Sequence, residues 1–173
     1  LGTDGQHLLS AGAGKTNVFE TAAAGGKISQ MISTQLDVEQ SETSTSFVAI
    51  TGVTADITPS ATSSKVWVQG SLLWGRQSNN TMWFQMFRDS TLINEQTFAT
   101  GSDTDGFWAS GVDSGYFELR SAPFSFLDSP SSTSSITYTV KWRVDGNTVY
   151  LNRIGADTNQ AGTSQFNLLE VLA

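Results

Sequence analysis

The stretch KVWVQGSLLW at residues 65–74 decides the fold of this chain. Its side chains alternate between two sides, with Val66 and Val68 on one side and Trp67 and Leu73 on the other. A period of two is that of a β-strand, because successive side chains of a strand point to opposite faces of the sheet. Large apolar residues on both sides predict a strand that is covered on both faces.

The same period recurs along the chain after residue 26, and turn-forming residues separate the runs. The pair Asp145-Gly146 between two such runs predicts a β-hairpin. Residues 165–172 also suit a helix, because Phe166 and Leu169 are three apart. Many short strands without a long amphipathic helix predict an all-β fold, an antiparallel β-sandwich or jelly roll. The other runs are 28–36, 47–51, 53–58, 82–87, 115–120, 123–127, 136–143 and 149–154.

Charge and composition exclude several functional classes. Sixteen acidic against nine basic residues give a net charge of -7, which opposes binding to the phosphates of nucleic acids. The longest apolar run, residues 47–50, is far shorter than the roughly 20 residues of a membrane-spanning helix. The chain has no Cys, so disulfides and thiol catalysis are excluded. We expect no nucleic-acid partner and no membrane insertion.

A change of composition near residue 26 predicts two segments. Residues 1–26 are rich in Gly and Ala and too poor in large apolar residues for a core of their own, so they are expected to be an extended stem ordered by neighbouring chains. Residues 27–173 are expected to form the β-sandwich head. The first residue is Leu1, and residues 1–10 lack the basic start and apolar stretch of a signal peptide, which indicates a fragment of a longer chain.

Several short phrases resemble a known family. GTDGQ (2–6), LSAGAG (9–14) and VFE (18–20) look like the stem repeat of tailed-phage fibre proteins, from which His7 and Leu8 depart. The rest resembles the C-terminal head domain of marine and cyanobacterial phage fibres. The resemblance implies a homotrimeric virion protein whose head meets the host surface. The phrases of the head are STSFV (44–48), ITPS (57–60), SSKV (63–66), RDST (88–91), FLDSP (126–130), TYTV (137–140), YLNR (150–153) and LLEV (168–171).

Residues 100–114 are the candidate binding loop, because they form the longest stretch without strand periodicity. Phe107 and Trp108 lie there among Gly, Asp and Ser, where their rings could stack on a sugar or a receptor side chain. The alternative is that the loop folds back and Trp108 plugs one end of the sandwich. Six other aromatic residues lie inside alternating runs and are expected in the core or a subunit interface. They are Trp67, Phe84, Phe87, Phe126, Tyr138 and Trp142.

Polar residues complete the candidate site. Asp103, Asp105 and Asp113 could accept hydrogen bonds from sugar hydroxyls, although acidic residues in such loops commonly cap turns. Arg76 and Asn79 follow a predicted strand and are expected at a second exposed polar tip. Residues 103–106 match only part of a calcium-binding loop, so we expect no metal and no cofactor.

Three functions remain open at this stage. The first is a trimeric fibre head that binds a host-surface receptor, joins other virion proteins through its stem and performs no chemistry. The second is a capsid decoration or purely structural virion module. The third is a glycan-degrading enzyme, which ranks last because no acid and base pair is identifiable. The first two place the protein in the virion, and no catalytic residue is expected.

Overall fold

The computed structural model of the protein describes residues 6–9, 18–21, 28–78, 81–94, 106–110 and 118–172. All regular elements within these ranges are β-strands, joined in antiparallel pairs into three sheets. Within the same ranges no helix is long and apolar enough to cross a membrane. The all-β antiparallel prediction is confirmed, and residues 165–172 lie in a strand except for the last.

The first sheet is a hairpin within the predicted stem. Strand β1 (Gln6–Leu9) pairs with β2 (Val18–Thr21), and Leu9 lies opposite Val18. The other residues of the stem, 1–5, 10–17 and 22–26, lie outside the described ranges. The boundary at residue 26 and the ordering of the stem by other chains stay predictions.

The second sheet has six strands arranged around β6 (Lys65–Arg76). Strand β10 (Arg120–Asp128) lies along one edge of β6, while β13 (Ser164–Val171) and β12 (Val149–Leu151) follow each other along the opposite edge. Strand β3 (Ile28–Leu36) then pairs with β13, and β4 (Gln40–Glu42) pairs with β12. The pairing of β3 with β13 ends where Ile28 lies opposite Val171.

The third sheet has five strands and packs against the second. Strand β11 (Ile136–Val144) lies between β5 (Val48–Ile57) and β7 (Met82–Arg88). The free edge of β7 pairs with two short strands, β8 (Thr91–Ile93) and β9 (Trp108–Ser110). The two larger sheets therefore form a sandwich.

The core consists of the alternate side chains that the two larger sheets turn toward each other. In β11 every second residue is buried and those between are partly exposed, as expected of a strand with one covered face. Burying such side chains stabilises a fold by about 1.5–3 kcal/mol each. Prominent members are Val66, Val68, Leu72, Trp74, Phe124, Phe166 and Leu168 from the six-stranded sheet and Ile50, Ile57, Phe84, Met86, Tyr138 and Trp142 from the five-stranded sheet.

One glycine allows the third sheet to bend. Gly52 has a φ of 81°, a conformation that side-chain-bearing residues rarely adopt. Near it the register between β5 and β11 shifts, between Thr139 and Lys141. An irregularity of this kind bends a strand.

The hairpin prediction at Asp145-Gly146 is wrong. The turn joins β11 of the third sheet to β12, which pairs with β4 and β6 of the second sheet. It is held by bonds to another segment, since the Asp145 amide donates to the Thr81 carbonyl and the Thr81 amide donates to Asp145 Oδ1. Turn-forming residues reverse the chain, but the partner of the next strand depends on the core that it must cover.

Candidate interaction surface

The two aromatic residues of the predicted binding loop pack against the core. Trp108 lies edge-on to Trp74, with ring centroids 5.3 Å apart, and tilted against Phe84 at 5.5 Å. Phe107 contacts Phe124, with centroids 5.2 Å apart, and its amide donates to the Phe84 carbonyl. This arrangement is the one expected from the alternative prediction, in which the loop folds back onto the sandwich. A receptor-binding role for these two rings stays a prediction.

The polar members of the predicted site divide into two groups. Asp103, Asp105, Asp113 and Asn79 lie outside the described residues. Arg76 is only 1% exposed, so its placement at an exposed polar tip is wrong. The physical reason is parity: Arg76 follows Trp74 by two residues on β6 and therefore points to the same inner side, where it lies beside the Trp74 ring.

Glu170 is a buried carboxylate that joins three segments. Its Oε1 accepts hydrogen bonds of 2.6 Å from both the amide and the hydroxyl of Ser60, and its Oε2 accepts one of 2.8 Å from Gln30 Nε2. Burial alone raises the pKa of Glu170, but these hydrogen bonds outweigh it and lower the pKa to about 2. Glu170 is therefore ionised at neutral pH and ties the turn before β6 to β13 and β3.

A second polar cluster joins the two sheets of the sandwich. Arg88 Nη1 of β7 donates to both carboxylate oxygens of Asp128 on β10, at 2.9 and 2.8 Å. The Tyr138 hydroxyl of β11 donates to Asp128 Oδ2 at 2.6 Å. Burial, and then the hydrogen bond to Asp128, raise the pKa of Tyr138 well above its ordinary value. We call Arg88, Asp128 and Tyr138 the intersheet clasp.

The described residues contain no group of three or more His, Cys, Asp or Glu that could hold a metal ion. Glu170 and the intersheet clasp each use their polar atoms to link elements of the fold.

The outer side of the six-stranded sheet carries a row of apolar residues across four strands. Leu127 of β10 lies opposite Trp67 of β6, Trp67 lies opposite Leu169 of β13, and Leu169 lies opposite Met31 of β3. Leu127, Met31 and Trp67 are 57%, 55% and 37% exposed, whereas Leu169 between them is 6% exposed. Ile28, at the end of β3, adds another exposed side chain. Neighbouring exposed apolar residues of this kind mark interaction sites.

The adjacent rows of the same surface carry amides and hydroxyls. The Trp67 indole N–H donates to Ser125 Oγ at 2.8 Å, and the Ser33 hydroxyl donates to Asn167 Oδ1 at 2.6 Å. We call the outward side chains of β10, β6, β13 and β3 the neutral face, because among them only Lys65 is charged. The same rows contain one apolar residue, Pro123, and the polar residues Gln35, Gln69, Ser71, Ser121 and Gln165.

The outer side of the five-stranded sheet has a different character. Lys141 Nζ lies 3.8 Å from the centre of the Phe87 ring, and the Arg143 guanidinium lies 4.0 Å from that of Trp83. Asp56 accepts a hydrogen bond from the Thr137 hydroxyl on the same side. Charged side chains thus lie on the outer side of the five-stranded sheet, whereas Lys65 is the only charged residue of the neutral face.

Sequence reasoning identified one strand of the neutral face and missed the rest. The alternation around Trp67 indicated a strand with apolar residues on both sides, and Trp67 was expected in the core or an interface. Met31 and Leu127 gave no comparable signal, because a Ser lies two residues before and two residues after each of them, so their side of the strand shows no apolar run. They join Trp67 only through the register of four strands that are distant in sequence.

Comparisons with known proteins identify no family. No protein-family model matches the chain, and no curated protein matches it significantly. Among solved structures, infectious bursal disease virus of the Gt strain matches with 12% identity and a TM-score of 0.45, and the VP2 subviral particle of the same virus with 12% and 0.43. Each match covers 97% of this chain and 43% of the viral chain, so the chain spans less than half of the proteins it matches. A likeness at this level assigns no function.

Proposed function

We propose that this chain is the head domain of a virion fibre, which assembles as an oligomer and attaches the particle to a receptor on the host surface without performing chemistry. The observation that carries the oligomer in this proposal is the neutral face. It offers a broad surface of apolar and hydroxyl or amide side chains, whereas the described carboxylates of Glu170 and Asp128 are engaged in holding the fold. The sequence resemblance to phage fibre heads supports the same function.

Oligomerisation makes weak attachment sufficient. Copies presented together on one fibre raise the effective concentration of each site, which strengthens binding roughly 100-fold or more. We therefore propose a homotrimer whose stem connects to other virion proteins. A shallow receptor site on each head then suffices.

Light scattering and a glycan array test this proposal. We expect a mass of three chains at micromolar concentration, and binding of the labelled protein to a restricted set of glycans or to whole host cells. A single-chain mass contradicts the oligomer. Release of reducing ends from host polysaccharide contradicts the absence of chemistry.

The second candidate is a structural virion module that binds neighbouring virion proteins and no receptor. The neutral face also favours this function, because apolar rows of this kind fit protein surfaces. Absence of any binding to glycans and host cells, together with assembly into a defined oligomer, would support the second candidate over the first.

A further inference from the structure

The neutral face holds most of the large apolar side chains that are exposed in the described part of the chain. Four of the five large hydrophobic residues that are exposed in the described part of the chain lie on it: Ile28, Met31, Trp67 and Leu127. Four strands spaced about 4.8 Å apart and about seven residues long give a surface of roughly 450 Å² in projection. Accessible area exceeds projected area on a textured surface, so the face is of the same order as the about 800 Å² that each partner of a stable complex buries.

The distribution of charge on the chain indicates which kind of partner fits the neutral face. The chain has a net charge of -7, so two copies repel each other over most of their surfaces. The neutral face contains no acidic side chain, and its one charge, Lys65, donates a hydrogen bond to Ser129. It is therefore a surface on which a second copy can approach with little repulsion.

The polar rows of the neutral face suit a neutral partner surface. Amide and hydroxyl side chains both donate and accept hydrogen bonds, so a row of Gln69, Asn167, Ser33 and Ser125 can bond to amides and hydroxyls of another copy. A row of ionised side chains would lack this property. Both the apolar and the polar rows therefore fit a contact with another copy of the chain.

We infer that the neutral face is the contact surface between copies of this chain, with Leu127, Trp67, Leu169 and Met31 at its centre. The inference rests on the proposed oligomer and adds the surface through which it forms. Burying the apolar row gives the association its strength, and the adjacent amides set the orientation.

The methionines allow a test without mutation. The chain has three Met residues, of which Met82 and Met86 are fully buried and Met31 is 55% exposed on the neutral face. Oxidation of Met by hydrogen peroxide follows its exposure. We expect Met31 to oxidise several-fold more slowly at concentrations where light scattering reports an oligomer than after dilution to single chains, as read by mass spectrometry of its peptide. Equal rates for oligomer and single chain would overturn the inference.

Substitutions on and off the face provide the second test. The double variant Met31→Glu with Leu127→Glu adds charge at two exposed positions, and Val38→Glu is the matched control, since Val38 is 61% exposed and lies outside the four strands. We expect the double variant to have the far-UV circular dichroism of the native chain and a single-chain mass, while the control stays an oligomer. A folded double variant that keeps the oligomeric mass overturns the inference.

The native chain and the double variant also show whether the neutral face binds a second copy or a receptor. If the native chain has a single-chain mass and the double variant loses binding on the glycan array, the face takes a receptor and the inference of a second copy fails. If the double variant has a single-chain mass and still binds glycans weakly, the inference holds and attachment resides elsewhere on the head. These outcomes separate failure of the contact surface from failure of the attachment function.

Discussion

Glu170 makes the stability of the β-sandwich depend on pH. Its pKa lies near 2 in the folded protein and at 4.5 when unperturbed, so its contribution is fully present above about pH 4.5 and is lost as the pH falls toward 2. We expect Glu170→Gln to lower the free energy of unfolding by about 2–3 kcal/mol at pH 6. Urea denaturation of both proteins at pH 6 and pH 3 should show this difference shrinking by about 2 kcal/mol at the lower pH. A difference that is equal at both values would contradict the role of the ionised carboxylate.

Trp108 is a second residue whose substitution is informative. Because its ring packs against Trp74 and Phe84, we expect Trp108→Ala to cost about 3 kcal/mol or more in stability. The measurements are the melting temperature and, at a temperature where the variant is folded, binding to host cells or glycans. Unchanged stability with lost binding would instead support the predicted stacking on a receptor.

At the scale of elements, the intersheet clasp fixes how β10 lies over the five-stranded sheet. Asp128→Asn leaves Arg88 without its ionic partner in a mostly buried place, so we expect a loss of about 2–4 kcal/mol in urea denaturation. Glu118→Gln is the control, because Glu118 pairs with Arg120 at an exposed position and such pairs contribute about 0–1 kcal/mol. Equal losses for the two variants would mean that the clasp does not hold the sheets together.

The strands also show which parts of the structure can be predicted from the sequence. Strand β11 was predicted because one of its faces is buried along its whole length, which leaves a period of two. Strand β9 was not, since three residues are too few to show a period, and Phe107 and Trp108 were therefore placed on an exposed loop. The turn at Asp145 shows a further limit: local residues encode the reversal of the chain, whereas pairing depends on contacts between distant segments. The neutral face was missed for the same reason.

At the scale of the whole molecule, β13 joins a strand from the start of the sandwich, β3, to a strand from its middle, β6. It lies between β3 and β6, and it supplies Phe166 and Leu168 to the core. We expect a chain that lacks residues 164–173 to show no cooperative unfolding by circular dichroism, because β3 then loses its only strand partner in the described sheet. Removal of residues 172 and 173 alone is the control and should leave unfolding cooperative. A cooperative transition in the longer deletion would show that the sandwich folds without β13.

The pairing of Ile28 with Val171 has a practical consequence for protein engineering. Residues directly opposite each other in an antiparallel pair have Cα atoms about 5 Å apart, so the strand that enters the sandwich and the strand that leaves it begin and end side by side. A short linker is long enough to join these two positions, which makes the β-sandwich suitable for circular permutation with new termini opened in a surface turn. It can equally be grafted into a loop of a carrier protein as a display scaffold, because both junctions then fit within the width of one hairpin.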